Sequence, residues 1–226
     1  MHAKSRILIG LTLLAIACPT LAKKSEELPE VTADGLERVH DSEWAVVYAE
    51  PGADLSVYQK VQLLEPYVAF KKDWRRDYNR SSAQRVTSND MERIKDRMKK
   101  EFDEVFREVL SADDGYPIVD AAGEDVLLLR PAIVDLDPVA PDLPTASRSY
   151  SYARSAGSMS IYLEIYDSVT GDLIAKGLDA KADRNNAYMQ WQSSVSNKAA
   201  AKRILKSWAQ DLRDALDQAH EATGKP

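Results

Sequence analysis

Two acids, a Tyr–Arg run and a lone cysteine are the residues of this 226-residue chain whose types and spacing could do chemistry. Asp135 and Asp137 stand two apart at the end of DVLLLRPAIVDLD. On a strand that spacing puts both carboxylates on one face, where they could hold a hard cation such as calcium or work as a general acid and base. Acid–base work needs two carboxyls in a cleft with their pKa values pushed apart. A strand end turning into water before Pro138 needs nothing of the kind, and exposed acids are common on an acidic chain. We therefore assign Asp135 and Asp137 to a strand end and expect neither a catalytic nor a metal site there. The run Arg148-Ser149-Tyr150-Ser151-Tyr152-Ala153-Arg154 has a different use. Tyr and Arg combine large contact area with directed hydrogen bonds and are enriched at interface hot spots. Arg148, Tyr150, Tyr152 and Arg154 are thus the candidate partner-binding residues.

Enzyme chemistry has little to draw on. Of the three histidines, His2 lies in the leader described next, which leaves His40 and His220. A histidine triad or a multi-histidine metal site lacks its material. The sequence contains no HExxH, no GxSxG and no glycine-rich phosphate loop. A non-enzymatic domain without a cofactor is expected.

The clearest signal is the leader. Lys4 and Arg6 form a basic start, Ile7 to Ala17 is an unbroken apolar or small run, and Thr20-Leu21-Ala22 supplies small residues at a cleavage site. A run that short, rising about 1.5 Å per residue, reaches only about half of a hydrocarbon core roughly 30 Å thick. Residues 1–22 therefore read as a secretory signal peptide. Cut after Ala22, it leaves a soluble chain starting at Lys23, and Cys18 is lost. The alternative treats Leu14-Ala15-Ile16-Ala17-Cys18 as a lipobox, with Cys18 acylated and retained at the new N-terminus, although Ala15 stands where such boxes usually carry leucine. The expected address is the periplasm, or with the lipid the outer membrane.

Either cleavage leaves no cysteine pair, so the exported domain must hold by its core alone. Its length suffices for a single domain with one sizeable core. The full chain carries 30 basic and 36 acidic residues, and the leader removes two bases and no acid. Acidity of that kind disfavours nucleic acid and anionic lipid surfaces as partners. Another envelope protein is the expected partner, with membrane contact only through a lipid on Cys18.

Around these residues the elements fall in order. Residues 23–42 are polar and read as a flexible lead-in. Trp44 to Tyr48 is a short strand stopped by Pro51-Gly52, and Ser56 to Phe70 is a long strand broken or bulged at Pro66; the two are expected to be neighbours. Lys71 to Ser88, with Trp74 and Tyr78 among six bases, is a solvated connection with an amphipathic turn. Asn89 and Glu92 resemble a capping pair, and Met91, Ile94, Met98, Phe102, Val105, Phe106 and Val109 then recur at helical spacing until Asp113-Asp114-Gly115. Val126 to Leu129 is apolar on both faces, as in an interior strand, with Pro131 marking an edge or a bulge. Pro138 to Ala156 shows no periodicity and reads as a loop. Gly157 to Asp183 is a hairpin turned at Thr170-Gly171-Asp172, with Met159, Ile161, Leu163 and Ile165 inward and Ser158, Ser160, Tyr162, Glu164 and Tyr166 outward. From Ser196 a second helix carries Ala201, Ile204, Leu205, Trp208, Leu212 and Leu216 on one stripe. The sum is a single α+β domain over residues 43–220, an antiparallel or mixed sheet with two amphipathic helices on one face, and a short tail at 221–226.

Three stretches in this order, ADLSVYQKVQLLEPYVAF, YPIVDAAGEDVLLLRPAIVDLDP and GSMSIYLEIYDSVTGDLIAKGLDAKAD, resemble the bacterial domain-of-unknown-function family numbered 3313. The likeness spans about Ala53 to Ala219 and rests on strand patterns and turns. It implies an exported protein, many members carrying a lipobox, and would make Cys18 the lipid site; it implies no catalytic signature.

Overall fold

The fold follows from which strands can find an edge. In a computed structural model the described residues are 28–139, 141, 143, 150–153, 157–182, 190–222 and 224, with 150–153 and 190–196 described by backbone alone. The elements are β1 (Glu37–Val39), β2 (Val46–Ala49), a 3-10 turn at Leu55–Val57, β3 (Lys60–Leu63), β4 (Tyr67–Phe70), α1 (Trp74–Ser81), α2 (Ser88–Leu110), β5 (Val126–Pro138), β6 (Tyr150–Ala153), β7 (Gly157–Asp167), β8 (Leu173–Ala182), β9 (Gln190–Ser193) and α3 (Ser194–Ala222). Seven strands make one mixed sheet in the order β1-β2-β8-β7-β5-β3, and β4 also pairs with β5. The chain is α+β, as expected.

The β7–β8 hairpin forms as its alternation requires, and Gly171 takes the left-handed turn at φ 75°. β5 is interior. Antiparallel β7 takes one edge, and β3 and β4 lie end to end, parallel, along the other. Pro131 fits because of that arrangement. The Leu64 amide donates to Leu129 O at 3.0 Å, and β4 starts only at Tyr67, opposite Ala132. The missing N–H of Pro131 therefore faces the gap between two short strands, where no partner is needed.

Several expectations are corrected here. The run from Ser56 to Phe70 is a 3-10 turn and two strands rather than one long strand. The Trp44–Tyr48 and Ser56–Phe70 runs are not neighbours, since β2 pairs with β8 at the other end of the sheet. The hairpin fills the middle, so its free edge takes β2 while the long edge of β5 takes β3 and β4. The lead-in is structured from residue 30 onward. Thr32 N donates to Leu36 O and Gly35 N to Thr32 O, turning the chain back so that β1 pairs with β2 and Leu36 is only 2% exposed. The domain therefore begins before residue 43, and α3 runs past 220 to Ala222. The segment after Phe70 contains α1, whose Trp74 is buried between Phe70 and Tyr78 at ring distances of 4.5 and 5.4 Å. The start of α2 is capped by Thr87 and Asp90, not by Asn89 and Glu92. Asp90 N donates to Thr87 Oγ1 at 3.2 Å and Thr87 N donates to Asp90 Oδ2 at 2.8 Å, a reciprocal box.

Helices α2 and α3 cover one face of the sheet, and their stripes meet it in a single core. Phe102, Phe106, Leu205 and Trp208 are fully buried against Leu129, Ile133 and Ile161. Arg213 of α3 donates to Val109 O and Ala112 O at 2.9 and 2.6 Å, so one helix caps the C-terminus of the other. A polar clamp ties α3 to the opposite end of the sheet. Asp179 of β8, 7% exposed, accepts from Trp208 Nε1 at 2.7 Å and from the Ala45 amide at 3.2 Å. Beside it, Lys181 donates to Asp211 at 2.8 Å and to Ser207 at 2.7 Å, and Trp44 Nε1 donates to Asp211 at 3.2 Å. Gly177 is required beneath Trp44, because a Cβ there would lie 2.7 Å from Trp44 Cε3.

Candidate functional site

The structure disperses the residues singled out from the sequence. Asp135 is not part of a regular strand face. It sits at φ 51° in a β-bulge of β5, where the pairing with β7 shifts between Val134 and Asp137. The spacing that placed both carboxylates together assumes an unbroken pleat, and the bulge breaks it. Asp137 accepts from Lys71 Nζ at 2.8 Å, and this bond is the main reason the lysine's pKa is raised. An ammonium already stands where a cation would bind. Among the described residues no group of three or more His, Cys, Asp or Glu side chains is placed to hold a metal ion.

Tyr150 and Tyr152 are not in a loop. They belong to β6, which pairs antiparallel with β9, Tyr152 opposite Trp191. The partner strand lies some forty residues on, beyond the reach of a local pattern. Arg148, Arg154 and Cys18 lie outside the described residues. On the sheet face away from α2 and α3, Tyr162 and Tyr166 each donate to Glu164 at 2.9 Å, and Arg130 reaches the same carboxylate at 3.2 Å. Burial, with that bond next, pushes the Tyr162 hydroxyl up to about 12.

Among the described residues, a cleft of about 460 Å³ lies between α2, α3 and the adjoining ends of β5 and β7. Such a volume falls in the range of small-ligand and anchor pockets. Ile94 and Met98 of α2, Leu136 of β5, Met159 of β7, and Ala201 and Ile204 of α3 supply much of its apolar lining. Small residues at Ala200 and Ala201 keep the α3 wall open. Gly157, at φ 146°, closes one end; a Cβ there would lie 2.7 Å from Asp137 O.

Two of the polar residues lining this cleft, which also include Arg97, Lys100, Glu104 and Lys198, have buried side-chain atoms without a hydrogen bond. Glu101 of α2 is 8% exposed and lies between Lys198 and Lys202 of α3, each 3.3 Å from one of its oxygens. Lys202 approaches Oε1 without hydrogen-bond geometry, so that oxygen is held by charge alone. Asn197, one turn into α3, buries both Oδ1 and Nδ2 with no hydrogen-bond partner for either. Leaving a buried polar group unpaired costs about 1–3 kcal/mol, so such groups call for a reason. The chemistry on offer is apolar contact, the donor and acceptor of Asn197, and the charged side chains of Arg97, Lys100 and Glu104.

Sequence reading missed both residues, though a signal was there. Asn197 precedes Ala200, Ala201 and Ile204 by three, four and seven positions, on the apolar stripe of α3. Glu101 occupies the same kind of position between Met98 and Val105 on α2. A polar residue on each of two apolar stripes that face one another is the pattern to look for.

No curated protein matches the chain. The chain is similar at low identity to several solved structures. The PelC dodecamer protein from Paraburkholderia phytofirmans is 10% identical, with 74% of this chain and 96% of that one covered and a TM-score of 0.37. A Xanthomonas campestris protein of the DUF330 family is 11% identical, with 77% and 93% covered and a TM-score of 0.38. The family model described as protein of unknown function, DUF3313, matches residues 30–212, from the turn before β1 to the buried middle of α3, and the chain belongs to that family.

Proposed function

We propose that this chain is an exported bacterial envelope protein that works as a non-catalytic binding domain, receiving its partner in the cleft between α2 and α3. The observation that carries the reading is the unpartnered Asn197 amide in a largely apolar cleft. A merely structural wall would be served better by leucine at that position. Export rests on the leader, with cleavage after Ala22 giving a periplasmic chain and acylated Cys18 giving an outer-membrane one. The β6–β9 ribbon extends the same surface, because β9 ends at Ser193 and α3 starts at Ser194. Arg148, Tyr150, Tyr152 and Arg154 are the proposed partner-contacting residues on the grounds of their residue types.

The test is in-cell crosslinking of the native envelope with two variants. Ala201→Trp fills the cleft and Tyr150→Ala with Tyr152→Ala trims the ribbon. Each is expected to reduce recovery of the wild-type crosslinked partner while the melting temperature stays within a few degrees. Full recovery with Ala201→Trp overturns the cleft as the site. Intact mass of the purified protein settles the address: a chain starting at Lys23 is expected, and acyl mass on Cys18 would replace it with the lipid-anchored form.

A further inference from the structure

We infer that the ligand of the α2–α3 cleft is an extended peptide segment of a protein partner, with apolar side chains in the cleft and the backbone N–H and C=O of one residue paired to Asn197. The inference rests on the cleft being the binding site. Its own support is the bonding capacity of the orphaned group. A carboxamide offers one acceptor and a donor pair, and both Oδ1 and Nδ2 of Asn197 are buried and unpartnered. One residue of an extended chain presents its own N–H and C=O on the same edge, which matches a carboxamide's acceptor and donor. A fatty-acid carboxylate, a phosphate or an ester supplies acceptors only and would leave Oδ1 as it is.

The lining carries the cations Arg97, Lys100 and Lys198 against the acids Glu101 and Glu104, so the discrimination rests on hydrogen bonding rather than on charge. The buried carboxylate of Glu101 lies in the same wall, and its nearest cations, Lys198 and Lys202, are already turned to it. Since the amide atoms are shielded from water, pairing requires rotation about the Asn197 side-chain bonds. That rotation breaks no hydrogen bond, because the starting position makes none.

The experiment follows the Asn197 side-chain amide resonances and the methyl groups of Ile94, Met159 and Ile204 by NMR in the labelled, processed chain. Two probes are titrated: the blocked peptide acetyl-Ser-Leu-Val-Leu-Ser-amide, and dodecanoate. The peptide is expected to shift both sets of signals saturably. Asn197→Leu is expected to weaken the peptide at least tenfold and to raise the melting temperature of the free protein, which separates a lost contact from a lost fold. Peptide affinity within twofold of wild type in Asn197→Leu overturns the inference. Dodecanoate shifting the methyls while the peptide does not overturns the peptide class and leaves the cleft as a binding site. Neither probe moving them at millimolar concentration refutes the cleft and the peptide together.

Discussion

Replacing Asp179 by alanine tests the polar clamp that joins the first strands to the last helix. Its carboxylate accepts from Trp208 Nε1 at 2.7 Å and from the Ala45 amide at 3.2 Å, and Trp208 is 0% exposed. Hydrogen bonds to a charged group contribute about 1.5–3 kcal/mol, and an indole N–H stranded in the core carries its own desolvation cost. The longer bond to the partly exposed Ala45 amide adds about 1 kcal/mol. Asp179→Ala should therefore destabilise by about 3–4 kcal/mol. For a chain of this length that lowers the melting temperature by roughly 6–16 °C. Asp179→Asn keeps one acceptor oxygen for two donors and should cost about half as much. Urea unfolding followed by circular dichroism measures both. A double-mutant cycle with Trp208→Phe isolates the indole bond, with an expected coupling of about 2 kcal/mol. An Asp179→Ala cost under about 1 kcal/mol, or a coupling near zero, would refute the account. The second outcome would mean that Lys181, held by Asp211 and Ser207, carries the clamp alone.

Acid and alkali should each unfold the protein through named groups. Hydrogen bonds from the Thr87 side chain and amide, with Arg93 adding to them, hold the Asp90 carboxyl below its usual range. A carboxyl depressed in the folded state stabilises above its unfolded pKa near 3.9 and loses that contribution as pH falls through the folded value, so denaturant midpoints should drop below about pH 4 and less steeply in Asp90→Asn. Burial first, then the bond to Asp167, pushes the Tyr58 hydroxyl up to about 12. Its contribution is complete below an unfolded pKa near 10 and is lost as pH rises from there toward 12, a decline that Tyr58→Phe should reduce. Gly177→Ala drives a methyl into the Trp44 ring and should cost about 1–3 kcal/mol by calorimetry; a neutral result would show that Trp44 has room to move. Asp135→Asn with Asp137→Asn should leave the cellular phenotype intact. Calcium should not raise the wild-type melting temperature, and a rise abolished in the double variant would restore the cation site.

What the sequence disclosed was decided by how local the determinant is. The β7–β8 hairpin was legible because alternation, turn residues and pairing all lie within Gly157–Ala182. The bodies of α2 and α3 were legible from their stripes. By contrast, β1 and its turn are too polar to signal burial, and only the position of Leu36 under β2 shows why they fold back. The parallel pairing of β3 and β4 with β5 and the pairing of β6 with β9 depend on which edges remain free after the hairpin forms, a property of no single segment. The bulge at Asp135 reversed a face assignment because one left-handed residue shifts every later side chain in the strand. The cleft needed both helices placed on the sheet before Asn197 and Glu101 could be seen to share a wall.

The position of α3 also sets the order in which the molecule can become complete. Trp208, Leu205 and Leu216 lie at the centre of the core, yet they are synthesised after every strand is already made. At roughly 5–20 residues per second, the stretch after β8 takes a few seconds to emerge from a ribosome. Through that interval the inward face of the sheet, with Leu129, Ile133 and Ile161, has no partner from α3, and Trp44 has no Asp211 to receive its indole proton. Until α3 is made, the two halves of the core cannot close on one another, and the sheet stays an open apolar face.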